Sequence, residues 1–150
     1  MDIKNLDSAE YPRMLSRSIS YLHRQKIKFM NSKLKDFDII GAMYIIMLAV
    51  ARNPGTSQDA IVTDMNIDKC TVARRTRKLV DLGYIQKETN EADRRQNSLF
   101  LTEKGKTIIP IIRENLALWS ETMSEGLTVE EERSLVVLLD KIVENYASNQ

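Results

Sequence analysis

One segment of the chain, DKCTVARRTRKLVDLGYI (residues 68–85), is dense in basic residues. No acidic residue lies between Lys69 and Val80, so the positive charge there is uncompensated along the helix that the segment predicts. A merely solvated helix would usually carry acidic residues one turn from its basic ones. Guanidinium and ammonium groups donate charge-assisted hydrogen bonds to anionic oxygens. The segment carries five basic residues and therefore predicts a surface that contacts a polyanion; they are Lys69, Arg74, Arg75, Arg77 and Lys78.

Placed at 100° per residue, this basic helix has two faces. Val72, Thr76 and Leu79 share one face and are expected to pack inward. Arg75 lies at the edge of that apolar face, where its guanidinium can reach outward. Asp68 is the predicted N-cap. The candidate contact residues on and beside the other face are Lys69, Cys70, Thr71, Arg74, Arg77 and Lys78.

A second charged group, Asp93, Arg94 and Arg95, lies between two predicted short strands, YIQKET and NSLFLT. An arginine at a projecting tip suits the narrow, electronegative minor groove of duplex DNA. The Asp93 carboxylate is two residues from Arg95 and can accept hydrogen bonds that orient its guanidinium. The alternative is that Asp93 is an ordinary turn aspartate.

The sequence of 150 residues offers few side chains that could perform catalysis or bind a cofactor. The sequence contains one histidine, His23, and one cysteine, Cys70, with no phosphate-binding glycine loop and no metal-ligand spacing. We therefore expect neither an enzyme nor a metal or other cofactor. The net charge is only +1, so affinity for a polyanion must come from local asymmetry. The longest apolar run is shorter than a membrane span, and a soluble cytoplasmic protein is the simplest interpretation.

The elements that precede the basic helix are predicted to be helical. A long helix covers residues 11–34, and an almost wholly apolar helix follows, with Asp36 or Asp38 as its cap. That second helix ends at RNPGTS, and Thr56 is predicted to cap a short third helix. Asn66 then lies in a tight connection that favours the left-handed conformation. This order places a short helix and a tight turn directly before the basic helix.

The elements that follow the basic helix complete a mainly α fold with a small β-hairpin. Gly83 is predicted to end the basic helix, and the two short strands come next. Thr102 is the predicted cap of a fifth helix, in which Pro110 should either introduce a kink or shift the start. The motif TVEE (128–131) predicts a capping box that opens the last helix. A hairpin alone is marginally stable, so it must pack on the helices.

A short helix, a tight turn and an exposed basic helix match helix-turn-helix geometry, in which the second helix enters the major groove. The motifs PGTSQ, DKCTVAR, LVDLGYI, the Asp-x-Arg at Asp93 and Arg95, and LTEKG occur in an order and at a spacing that resemble the winged core of MarR-family transcriptional regulators. The resemblance implies a single chain, residues 1–150, with a winged helix-turn-helix lobe at 37–101 and dimerisation helices at 8–34 and 103–147.

The same resemblance implies roles for individual residues. It places Arg74 at base edges and Arg95 in the minor groove with Asp93 beside it. Two departures affect the DNA sequence preference: Arg75 and Thr76 stand where small or apolar residues are usual in the family, and Cys70 replaces a common serine or glycine. The function that follows is a sequence-specific regulator, a repressor, that binds double-stranded DNA as a homodimer on a pseudo-palindromic operator and does not associate with a membrane.

Three further hypotheses concern a protein partner, a small-molecule effector and Cys70. The alternative function is a winged-helix module that contacts an acidic protein partner, and the salt dependence of duplex binding separates it from a DNA-binding regulator. The resemblance also implies a small-molecule effector, frequently an aromatic anion, that releases DNA. Flexible methionines suit such a pocket, although they are more often core residues. Candidate contacts are Arg13, Arg17, His23, Met43 and Met47. Cys70 invites a redox-sensing role, but the sensing cysteines of the resembled family lie elsewhere in the chain.

Overall fold

The structure is a computed structural model that describes residues 7–89 and 97–149. Residues 93–95, on which the predicted arginine contacts of the hairpin tip fall, lie outside the described residues. The chain divides into two compact units, Met1–Leu116 and Ala117–Gln150. In chain order the elements are α1 (Tyr11–Leu34), α2 (Met43–Arg52), α3 (Gln58–Met65), α4 (Lys69–Asp81), β1 (Ile85–Thr89), β2 (Asn97–Leu101), α5 (Glu103–Ser124) and α6 (Val129–Ala147). This confirms the predicted mainly α fold with a two-stranded hairpin.

The start of α2 differs from the prediction that Asp36 or Asp38 caps it. The N-cap is Ala42, which has φ +62° and makes no side-chain capping bond. Asp38 instead ends a short 3₁₀ turn, Lys35–Phe37, in the left-handed conformation. The connection is fixed from outside the segment, because the N–H of Gly41 donates to Oδ1 of Asn31 on α1 at 3.0 Å. Tertiary contacts therefore override the local capping signal.

The start of α3 is one residue later than predicted, because Ser57 and not Thr56 is its N-cap. The Ser57 hydroxyl accepts the N–H of Ala60 at 3.1 Å. Thr56 is engaged elsewhere: its carbonyl accepts the N–H of Leu99 at 2.9 Å in an isolated antiparallel bridge. This bridge joins the loop before α3 to strand β2 and so fixes the hairpin against the helices.

The hairpin is antiparallel, with pairs from Ile85 opposite Leu101 to Thr89 opposite Asn97. Ile85 and Leu99 are buried, so one face of the hairpin contributes to the core. The register pairs Thr89 with Asn97, the two residues that flank the segment 90–96.

The core of the first unit is apolar and is built around α2, as the almost wholly apolar sequence of that helix predicts. Six of its ten residues are buried. Both methionines of α2, Met43 and Met47, are buried in the core. The largest fully buried side chains are Met30, Leu34, Ile39, Ile46, Met47, Ile61, Leu79, Ile85, Leu99, Ile112, Val50 and Val72.

The two last helices begin at the predicted caps. Thr102 precedes α5, and Thr128 opens α6 with a capping box in which Glu131 accepts the Thr128 N–H at 2.8 Å. Helix α5 runs through Pro110, so proline does not shift its start. Within Val129–Ala147 no residue is buried, and a run of apolar side chains there is exposed. Among the described residues, no helix has the length and apolar character needed to cross a membrane.

Candidate nucleic-acid interface

Helix α4 is held by one buried face. Val72, Thr76 and Leu79 are fully buried, and the helix packs against α2, α3 and β1. The burial confirms the predicted inner face. The hydroxyl of Thr76 has no hydrogen-bond partner among the described residues, although buried polar groups usually have one. This polar group is the departure from small or apolar residues noted in the sequence.

The opposite face of α4 carries the predicted basic residues, and all of them reach solvent. Lys69, Cys70, Arg74, Arg77 and Lys78 are exposed, and Thr71 is half-buried at the edge. Cys70, Arg74, Arg77 and Lys78 therefore lie opposite the buried stripe, with Thr71 at their edge and Lys69 at the exposed N-terminus of the helix. These six candidate residues are here called the basic face. It has no acidic residue of its own before Asp81, the last residue of the helix.

The N-terminus of α4 is fixed by the turn before it. Asn66 adopts φ +48° and ψ +45°, the left-handed conformation that the sequence predicted. Asp68 is the N-cap, and its carboxylate accepts the N–H of Thr71 at 2.8 Å. Hydrogen bonds from the Thr71 side chain and then from its N–H hold the pKa of Asp68 below its ordinary value. The capping residue and the turn residue together set the direction in which the basic face points.

Helix α4 is terminated by Gly83, as predicted, in a Schellman arrangement that follows its last residue, Asp81. The N–H of Gly83 (φ +74°) donates to the carbonyl of Val80, and the N–H of Tyr84 donates to that of Leu79, each at 2.9 Å. Glycine is favoured there because residues with a Cβ atom adopt this left-handed conformation only at a cost in free energy.

The first turn of α5 is attached directly to this helix end. The Thr102 hydroxyl donates to the carbonyl of Gly83 at 2.6 Å and accepts the N–H of Gly105 at 3.0 Å. The Nζ of Lys104 donates to the carbonyl of Leu82 at 2.8 Å and lies 4.4 Å from the centre of the Tyr84 ring. These bonds satisfy carbonyls that the end of α4 leaves without helical partners. We call this group of contacts the α4–α5 junction; it positions the basic face relative to the start of α5.

Arg75 does not belong to the basic face. It is half-buried, consistent with its predicted position at the edge of the apolar stripe. It lies near enough to Tyr44 of α2 for its charge to act on the phenol: burial raises the pKa of Tyr44, and the positive charge of Arg75 lowers it in part. Arg75 therefore contributes to the packing of α4 on α2.

Sequence reasoning missed one charged residue at this surface. Nζ of Lys69 forms an ion pair with Oδ1 of Asp59 on α3 at 2.8 Å. Hydrogen bonding to Asp59, and then its negative charge, raise the pKa of Lys69. The two residues are ten positions apart, and only the packing of α3 on α4 brings them together. No periodicity or capping signal in the sequence indicates the pair.

Among the described residues, no group of three or more histidine, cysteine, aspartate or glutamate side chains is placed to hold a metal ion. Cys70, the single cysteine, is exposed and free. The arrangement offers hydrogen-bond donors and positive charge on a rigid helix. Such a surface suits recognition of a polyanion.

A two-stranded hairpin following a helix-turn-helix with an exposed basic second helix defines the class of winged helix-turn-helix proteins. The MarR family matches residues 37–96 of the chain. The HTH-type transcriptional regulator YybA of Bacillus subtilis is 31% identical over 129 residues, which cover 86% of each protein.

Solved structures give the same result. A MarR transcriptional regulator from Methanosarcina mazei Go1 superposes with a TM-score of 0.84 at 29% identity and covers 92% of this chain and 99% of its own. A MarR-family regulator from Listeria monocytogenes, crystallised with a 26mer DNA, superposes with a TM-score of 0.81 at 27% identity, over 89% of each chain. The chain belongs to the MarR family of DNA-binding transcriptional regulators, which are not enzymes.

Proposed function

We propose that this protein is a homodimeric, sequence-specific repressor that inserts α4 into the major groove of a pseudo-palindromic operator. The observation that carries the proposal is the basic face, which is exposed, lacks acidic residues and is anchored by a fully buried opposite face. In helix-turn-helix proteins the N-terminal half of the second helix lies nearest the base edges. We assign base contacts to Arg74, because arginine can bind guanine O6 and N7 in bidentate fashion.

The other residues of the basic face are assigned by their chemistry. Lys69, Arg77 and Lys78 contact phosphates, since these contacts fix register and orientation on the duplex. Cys70 and Thr71 are small enough to let the helix approach the groove. The hairpin supplies Arg94 and Arg95 to the adjacent minor groove, with Asp93 orienting Arg95. The hairpin register supports this last assignment, because Thr89 and Asn97, the paired residues on either side of the connecting segment, are both exposed.

The homodimer is proposed from apolar side chains that remain exposed on the first and last helices. On α1, Leu15, Ile19 and Leu22 recur at helical spacing and are each more than 40% exposed. On α6 the exposed apolar residues are Leu135, Val136, Val137, Leu138, Ile142, Val143 and Tyr146. Apolar side chains left exposed on a helix mark interaction sites, and a second copy is the commonest partner. A two-fold dimer would present two basic faces to DNA. The proposed site of action is the cytoplasm.

Selection of bound fragments from a pool of random duplexes tests this function. We expect enrichment of a two-fold symmetric sequence whose half-site centres are about 10–10.5 base pairs, or a multiple, apart. Symmetry tests the dimer, and spacing tests the placement of the two α4 helices. Enrichment of an asymmetric single site would contradict the dimer. No enrichment, together with capture of an acidic protein, would support the alternative of a protein-interaction module.

A small-molecule effector is proposed for a groove of about 460 Å³ lined by residues from α1, α2, α3 and α5. Ile45, Leu48 and Met65 supply apolar surface there, whereas Lys26, Arg52 and Arg113 supply positive charge. That volume lies within the range of small-ligand sites, and the lining fits an aromatic anion. Of the candidates named from sequence, Met43 and Met47 are buried in the core, and Arg13, Arg17 and His23 do not line this groove.

Replacing Arg52 by methionine tests the effector groove, with benzoate as the simplest aromatic carboxylate probe. We expect benzoate to weaken duplex binding by the unchanged protein. The Arg52→Met variant should require at least several-fold more benzoate for the same loss of duplex affinity. Lys106→Met is the matched control, since Lys106 is exposed on α5 and does not line this groove. Equal benzoate sensitivity in all three proteins would contradict the assignment.

A further inference from the structure

The ion pair between Asp59 and Lys69 joins the two helices of the helix-turn-helix across their turn. The Nζ–Oδ1 distance is 2.8 Å, and the side chains remain 53% and 75% exposed, respectively. Lys69 is the first residue of α4, at the end that lies nearest the bases when such a helix enters the major groove. A carboxylate from α3 therefore sits beside the leading edge of the basic face, in addition to the Asp68 carboxylate that caps α4.

Fold stability does not account for this pair. Exposed ion pairs contribute little to stability, because water screens the charges and two flexible side chains must be ordered. A lysine at the N-terminus of a helix is also disfavoured by the helix dipole, and the Asp68 carboxylate that offsets the dipole there is already engaged as the N-cap, bonded to the N–H of Thr71. Asp59 adds a second carboxylate from α3, and this one pairs with Lys69. Its effect is to hold the ammonium group of Lys69 in an ion pair, whereas an unpaired Lys69 would extend toward the nearest anion.

We propose that Asp59 is a specificity-determining residue of DNA binding: it holds Lys69 away from the phosphates of arbitrary duplexes. This inference rests on the proposed function. On DNA of any sequence the phosphates attract Lys69 from a distance, and the Asp59 carboxylate competes with them at 2.8 Å. On the operator, the base contacts of α4 bring the duplex close enough for Lys69 to exchange Asp59 for a phosphate. Asp59 thus weakens non-specific binding more than operator binding.

The proposal has a quantitative signature in the salt dependence of non-specific binding. Each phosphate neutralised by a basic side chain contributes about −0.9 to the slope of log K against log salt concentration. Removing the Asp59 charge frees Lys69 to neutralise one further phosphate per subunit. Asp59→Asn is therefore expected to steepen the slope on a random-sequence duplex by about 0.9 per subunit in contact, and to tighten that binding severalfold.

The experiment compares Asp59→Asn, Lys69→Met and the double variant by fluorescence anisotropy on a labelled random-sequence 26-base-pair duplex over a series of salt concentrations. The steeper slope should occur in Asp59→Asn alone and vanish in the double variant. Glu103→Gln is the control for net charge: Glu103 forms an exposed ion pair with Lys106 at 2.6 Å on α5, outside the helix-turn-helix. It makes the same change in net charge and should leave the slope unaltered. Thermal unfolding checks that all variants fold.

The inference fails if Asp59→Asn leaves the slope unchanged, or if it changes the slope equally with and without Lys69. The second result would show that Asp59 acts through simple repulsion of the duplex. Against the selected operator, the ratio of operator to random affinity should fall in Asp59→Asn, and an unchanged or increased ratio would also overturn it. Failure of the proposed function itself is distinguishable, because the unchanged protein would then bind neither duplex in a salt-dependent way.

Discussion

Replacing Arg74 by alanine is expected to weaken operator binding by about 1–3 kcal/mol per half-site, the discrimination that one bidentate arginine–guanine contact supplies. In the proposed dimer both half-sites lose the contact, so the loss of affinity should be about 30-fold or more. Preference should also relax at the base pair that Arg74 reads, whereas the slope of affinity against salt should change little. Arg74 is exposed and makes no ion pair among the described residues, so the fold should be unaffected.

The matched control for this prediction is Arg133→Ala. Arg133 is exposed on α6, so its replacement removes the same charge from a different element. Anisotropy titrations with the selected operator and with single-base variants of it measure both effects. An Arg74→Ala protein that keeps operator affinity and base preference would show that α4 does not read the major groove through this residue.

Replacing Gly105 by alanine is expected to destabilise the protein, although alanine is ordinarily the better helix former by about 1 kcal/mol. A Cβ atom at Gly105 would lie 2.1 Å from the carbonyl oxygen of Tyr84 and 3.2 Å from Cδ2 of Leu101. The oxygen belongs to the backbone and cannot rotate away. It is also held in place, because the N–H of Thr102 donates to it at 3.1 Å. Overpacking typically costs about 1–3 kcal/mol, and the backbone clash places Gly105→Ala at the upper end of that range.

Thr107→Ala is the control for the Gly105 substitution. Thr107 is exposed two residues further along α5, where alanine meets no such clash, and its replacement should be neutral or slightly stabilising. Urea unfolding followed by circular dichroism gives both free energies of unfolding. Because the α4–α5 junction positions the basic face, Gly105→Ala should also weaken duplex binding at temperatures where it remains folded. A Gly105→Ala protein as stable as Thr107→Ala would contradict the junction geometry.

The features of α4 that local chemistry controls could be predicted from the sequence. Asp68 caps the helix, Asn66 and Gly83 take left-handed conformations, and the 100° spacing separates buried from exposed side chains. Each of these depends on residues within one or two turns of each other. The predicted exposure of Arg74 and Lys78 is confirmed for the same reason: one continuous apolar stripe leaves a helix only one way to pack.

The features that sequence reasoning missed depend on residues far apart in the chain. Threonine is a common N-cap residue, but the backbone of Thr56 pairs with Leu99, and Ser57 is the N-cap instead. Asp36 and Asp38 are good capping residues, yet α2 begins after Ala42 because Asn31 fixes the loop from α1. The Asp59–Lys69 pair exists only once α3 has packed on α4. Local signals cannot indicate contacts that the tertiary fold creates.

The α4–α5 junction shows how the fold serves the proposed function. A regulator must hold its DNA-contacting helix at a defined angle, and helix ends are where backbone carbonyls need partners. Here a single hydroxyl, that of Thr102, bonds both to the end of α4 and to the start of α5. In the proposed function, an effector bound beside α5 would act on the basic face through these bonds.

The measurement that tests the central claim most directly is the affinity of the unchanged protein for a labelled 26-base-pair duplex at increasing salt concentration. A basic face that contacts several phosphates in each subunit predicts tight binding at low salt and a log–log slope of about −5 or steeper, from six or more neutralised phosphates in the dimer. Absence of duplex binding at low salt, or an affinity that does not change with salt, would contradict the account.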